Sequence, residues 1–104
     1  MSDTPLLDTL ADMTAASLAR TGLVEREVML VRIAALAAVG APPASYLLNL
    51  GAAAEMGLSL EDVQGVLVAV APVTGGPKVV AASGAIFKAL GFAIALDDEA
   101  GDTE

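Results

Sequence analysis

Ser59–Ala71, SLEDVQGVLVAVA, decides the fold of this chain, because the run that follows its acidic start reads two ways. Val66–Val73, VLVAVAPV, is rich in β-branched residues, and a short apolar run of that kind suits a buried strand as well as a buried helix. Two features favour helix. Ser59 is a residue of the N-cap type, followed by Glu61 and Asp62 in the first turn, where the helix dipole favours negative charge. Counted from that cap, the apolar segment is also too long for an ordinary strand. We therefore expect a helix from Ser59 whose limit is set by Pro72. No other stretch alternates apolar and polar residues between hairpin turns, so the chain is expected to be all-α.

Working outward, a VTGG turn follows and Pro77 opens a fifth helix, with Val80, Ile86, Phe87 and Leu90 on its apolar face and a course that runs past Gly91 to Leu96. Upstream, Pro42-Pro43 starts a third helix through Met56, closed by Gly57. The second, Val24 to Val39, has a charged first turn of Glu25, Arg26 and Glu27 and then IAALAAV, apolar all round, which predicts burial on every face before Gly40 ends it. Thr4-Pro5 fits an N-cap and first helical position, and Leu6, Leu10, Met13 and Leu18 carry a first helix to Arg20, closed by Gly22. The expected organisation is one compact bundle of about five helices over residues 1–96, followed by an acidic, disordered tail at 97–104, DDEAGDTE.

The composition bounds function more tightly than it bounds fold. Of 104 residues, 56% are hydrophobic but only 3% aromatic, and mean hydropathy is +0.71, so the apolar content is mainly Ala, Leu and Val. A single domain of this size leaves much of that surface uncovered, and a subunit interface is the natural place for it. Ile33–Ala54 lacks charge but is broken by Gly40, Pro42, Pro43, Ser45 and Asn49, against the roughly 20 unbroken apolar residues of a membrane span. MSDTPLLDTLAD has no basic segment ahead of an apolar core, so no signal peptide is read and a cytoplasmic location is expected. A net charge of −8 argues against nucleic acid and anionic lipid as partners. Cysteine and histidine are both absent, which rules out disulfides, thiol peroxidase chemistry, Cys/His zinc sites and imidazole acid–base work. No metal and no cofactor are expected.

The order of elements, with a buried Ala-rich helix, a helix ending in AAAEMG and then LSLEDVQGVLVAVAPVTGGPKVVAA, resembles the carboxymuconolactone decarboxylase and alkylhydroperoxidase D-like family over about Leu23–Leu90. The resemblance implies an alkylhydroperoxidase D-like helical fold and a homo-oligomer, trimer-based or hexameric. The peroxidase branch of that family carries Cys-x-x-Cys-x-x-x-His on the helix before the Gly. Counted back from Gly57, those positions fall on Pro42, Ser45 and Asn49, none of which conserves the chemistry. The decarboxylase branch keeps the histidine, which is Asn49 here as well. A serine hydroxyl does not cycle through sulfenic acid and disulfide, and an asparagine amide does not titrate near neutral pH. The resemblance thus implies a fold and a pocket location while placing both family activities in doubt.

Ser45, Tyr46 and Asn49 remain as candidate small-molecule-binding residues, Ser45 and Asn49 sharing a helix face. The plainer alternative has Ser45 bonded to the helix backbone, Asn49 a satisfied amide and Tyr46 packed at a boundary. Glu25 and Glu27 are the candidate catalytic carboxylates, since burial can raise a carboxyl pKa into the working range of a base. Against that, the glutamate of the peroxidase branch falls on Leu30, and both residues suit a helix N-terminus, with Arg32 in an intersubunit or intrahelical ion pair. Lys78 beside Gly75-Gly76 is a weaker anion-binding candidate. Two readings follow: a non-thiol, catalytically reduced or inactive homo-oligomer that scaffolds or binds a small molecule, or a cofactor-free decarboxylase or isomerase with a glutamate base and with Tyr46 and Asn49 orienting a carbonyl substrate.

Overall fold

The computed structural model describes residues 4–102, with side chains described for residues 4–91. The chain folds into α1 (Pro5–Arg20), α2 (Glu25–Val39), α3 (Pro43–Glu55), α4 (Leu60–Thr74) and α5 (Gly76–Asp102), with no strand among the described residues. The ends lie where local chemistry predicts. Pro5 is at the start of α1, and Gly40 closes α2 in the left-handed conformation at φ 71°, which costs a residue without Cβ nothing. At α4 the Ser59 Oγ accepts from the Asp62 N–H at 3.2 Å while the Asp62 carboxylate accepts from the Ser59 N–H at 2.8 Å, a reciprocal capping box.

The ambiguous run is helical, but its end is not Pro72: α4 continues to Thr74. A proline beyond the first turn gives up the hydrogen bond from its own nitrogen to the carbonyl four residues back, here Val68, but leaves the donors after it free to bond. Pro72 lies in the last turn, and that turn is closed around it by Thr74 Oγ1 donating to the Val70 carbonyl at 3.2 Å and the Gly75 N–H donating to the Ala71 carbonyl at 2.8 Å. α5 is described through Asp102. Lengthening a formed helix adds a hydrogen bond per residue without a new nucleation cost, and Ala, Leu and Glu favour it.

α2 is the central element and packs against α3, α4 and α5, which also pack on one another as α3–α5 and α4–α5. The core is built from Val28, Met29 and Ile33 of α2, Tyr46 and Ala53 of α3, Val63 and Val66 of α4, and Ile86 and Ala89 of α5. Burial of α2 on every face is not what the single chain shows. Val31 and Val39 are largely exposed, because three neighbours cannot enclose a helix and α1, the element free to cover the remaining side, buries none of its own residues.

Candidate functional site

The helix that resembles the family's active-site helix begins with Pro42 in extended conformation at its N-cap and Pro43 as its first residue. Pro42 is thereby a helix starter. One turn on, the Asn49 side-chain Nδ2 donates to the Ser45 backbone carbonyl at 3.2 Å, so one of its two amide hydrogens is used within the helix. Both Ser45 and Asn49 are half-buried. Tyr46, one residue along and about 100° round the helix from Ser45, is fully buried at 0% exposure and belongs to the core rather than to a boundary. Its hydroxyl has no hydrogen-bond partner among the described residues, and burial pushes the phenol pKa up.

Those three residues therefore do not share one cavity. Asn49 lines an open groove of about 330 Å³ between α1, α2 and α3, together with Met13, Thr14, Ser17, Arg32 and Leu36, while Ser45 and Tyr46 do not line it. The two candidate glutamates are elsewhere. Glu25 and Glu27 are exposed in the first turn of α2, and Glu27 Oε1 accepts the Val24 N–H at 3.2 Å, which makes it a capping group. Among the described residues no carboxylate reaches the Tyr46 hydroxyl. Leu30, the third position of α2 weighed from the sequence, packs half-buried against the core. Lys78 is exposed, and its ammonium approaches the α2 C-terminus, 3.4 Å from where a Cβ on Gly40 would stand. A cation is favoured at that end of a helix, so the cost of Lys78 at the start of α5 is offset by α2.

Arg32 is the groove residue that sequence reasoning placed elsewhere. It makes no intrahelical ion pair; its Nη2 donates to the Thr14 carbonyl and to Ser17 Oγ, both at 3.3 Å, and so ties α2 to α1. A signal for it existed, since Arg32 is the one charged residue from Val28 to Ala54. A lone charge in an apolar run is rarely left without a task. Among the described residues no three acidic side chains converge in a way that would hold a metal ion, and no helix is long and apolar enough to cross a membrane.

The fold and groove define a class: an all-helical bundle whose motif helix carries neither thiol nor imidazole. Residues 4–88 match the Carboxymuconolactone decarboxylase family, and the chain belongs to that family. The match takes in α1, which lies outside the stretch on which the sequence resemblance rests. Comparison with curated proteins and with solved structures gave no match.

Proposed function

We propose that the chain is a non-thiol member of its family, catalytically reduced or inactive, which acts as a cytoplasmic homo-oligomer, trimer or hexamer, with a scaffolding or small-molecule-binding role. The observation that carries this reading is Asn49. It falls on the position of the family histidine by the count back from Gly57, lines a groove with Arg32, and is tied to its own helix by the bond to Ser45. An amide there can orient or bind a ligand but cannot carry a proton near neutral pH. Two further facts support it. Thiol chemistry has no residue to run on, as the chain has no cysteine. Leu6, Leu7 and Met13 of α1, Val31 and Val39 of α2, and Phe87 of α5 are largely exposed in the single chain, apolar surface that an assembly would cover.

Sedimentation equilibrium tests the assembly. A mass of three or six times the 10.3 kDa chain is expected, and a monodisperse monomer at micromolar concentration would remove the oligomer from the proposal. Ligand binding is tested by amide-resolved NMR titration with small neutral and charged organic probes, and the lack of any saturable shift around Ser17, Ala35 and Asn49 would remove it from the proposal.

A further inference from the structure

We infer that the α1–α2–α3 groove is the receiving half of a head-to-tail contact between copies of this chain, filled by the α4–α5 face of the next copy, with Glu61 of that copy paired to Arg32. This rests on the homo-oligomeric reading above and names the two surfaces that meet. α2 and α5 each pack on both α3 and α4, so the α2–α3 side, which carries the groove, and the α4–α5 side lie on opposite sides of the bundle. One copy can therefore offer one side while receiving on the other. The α4–α5 side is apolar along its length: Leu60 and Phe87 toward one end and Val68 and Val80 toward the other are largely exposed, flanking a cleft whose two parts share Leu67. Such surface gains by being covered. The groove matches it in kind, since Met13, Ala35 and Leu36 line it and α1 on its rim buries none of its own residues in the single chain.

Charge chooses the occupant. Arg32 is half-buried, its Nη2 donates to two neutral acceptors, the Thr14 carbonyl and Ser17 Oγ, and no carboxylate stands within ion-pair range of it among the described residues. The remaining donors of its planar fork suit a carboxylate. Glu61 is the matching acid. It is exposed, has neither hydrogen bond nor ion pair among the described residues, and lies seven residues before Val68, hence on the same side of α4. Its neighbour Asp62 is already engaged by Arg26 and Ser59. Pairing groove on groove would instead set Arg32 toward Arg32 with no acid in the lining. A contact between unlike faces repeats from copy to copy and closes into a ring where the rotation allows, the geometry of a trimer, whereas a two-fold dimer needs a face that matches itself. The net charge of −8 opposes the approach of two copies at long range, so association depends on this short-range pair and on apolar burial.

Sedimentation velocity on the full chain tests the pair by charge exchange. Glu61→Arg and Arg32→Glu should each weaken association at least about tenfold, because each sets like charges against one another across the contact. The double variant remakes the pair in reverse and should return to within about threefold of the unaltered chain. Because Arg32 also holds α1, a cross-link avoids that substitution. The chain has no cysteine, so Met13→Cys in the groove and Phe87→Cys on the α4–α5 face introduce the only thiols. With a short thiol-to-thiol cross-linker, the chain carrying both should give covalent trimer or larger species, while either substitution alone stays at single-chain mass. Single-chain mass for the unaltered protein overturns the inference together with the oligomer. An oligomer that Glu61→Arg leaves intact, a double charge variant no tighter than the single ones, a double-cysteine chain that stays uncross-linked, or a single-cysteine chain that cross-links to itself overturns the head-to-tail contact and leaves the oligomer standing.

Discussion

α1 and α2 are nearly equal in length, 16 and 15 residues, and both are written largely in Ala, Leu, Met and Val, yet α2 buries Val28, Met29, Ile33 and Ala37 while α1 buries nothing. Leu6 is 69% exposed and Met13 61%; Ile33 is 0%. The difference lies in company. α2 runs between three helices that all present apolar faces to it, whereas the hydrogen bonds from α1 to the bundle are the polar ones from Arg32 to Thr14 and Ser17. Apolar content thus sets how much surface is available to bury, and topology sets which helix buries it within one chain. The remainder, on α1 and on the open side of α2, is what an assembly would cover.

The strongest way to break that comparison is Ile33→Ala. A fully buried isoleucine at the centre of four packed helices should cost about 2–5 kcal/mol on truncation, through lost transfer energy and the cavity left behind. It reads as a lower urea midpoint at unchanged slope. A loss below about 1 kcal/mol would mean that α2 is no better packed than α1.

Tyr46→Phe sharpens the comparison from inside the core. The phenol is buried with no partner for its hydroxyl among the described residues, and an unsatisfied buried polar group costs about 1–3 kcal/mol. Removing the oxygen while keeping the ring should therefore raise stability by about that amount. The titration has a matching sign. With the folded pKa above the unfolded one, stability is fully present below the ordinary phenol range and falls as pH rises from there through the folded value. Tyr46 is the one tyrosine in the chain, so tyrosinate absorbance reports it directly, and the Phe variant should lose this alkaline slope.

Much of the fold is legible in the sequence because helix ends are local events. The Ser59 hydroxyl with Asp62 three residues on, Pro43 at a first turn and Gly40 beyond a last one specify boundaries without reference to anything distant. Pro72 misled for the complementary reason: it gives up the one bond its own nitrogen would have made to the Val68 carbonyl, but it does not stop the two residues after it from closing the turn. The site was less legible. Adjacent positions on a helix point about 100° apart, so spacing puts Ser45 and Asn49 on one face and leaves open which face meets the core. The packing of α3 on α2 and α5 turns Tyr46 inward and leaves Asn49 on the groove. Arg32 is the lone charge of its run, yet its groove exists only because α1 lies beside it, a placement that no periodicity encodes.

Capping sits between core and surface in expected size. Ser59→Ala should cost about 1 kcal/mol, the usual weight of an N-cap side chain. The Asp62 carboxyl is held below the usual carboxylate range, first by the hydrogen bond from the Ser59 backbone N–H, then by the Ser59 hydroxyl and the Arg26 charge. A depressed folded pKa gives stability that is present above the ordinary carboxylate range and is lost as pH falls through the folded value. Acid unfolding followed by circular dichroism should therefore show a smaller loss toward low pH in Asp62→Asn than in the unaltered chain. Ser59→Ala should keep most of that slope, because it retains the backbone N–H.

Leu10→Ala on α1 carries the smallest effect in the single chain and bears most directly on the contrast between the two helices. Leucine truncation in a core costs several kcal/mol, but Leu10 is 45% exposed on a helix that buries nothing, and surface substitutions usually stay within about 0.5 kcal/mol. At protein concentrations low enough to give the single-chain mass, its urea midpoint should match that of the unaltered chain. An oligomer that covers α1 changes the outcome, because anything that binds the folded chain and not the unfolded one makes stability depend on concentration. The substitution should then lower the midpoint only as concentration rises, with a matching fall in the fraction sedimenting as oligomer. A loss of about 2 kcal/mol at every concentration would show that α1 packs on its own bundle, and the contrast with α2 would fail.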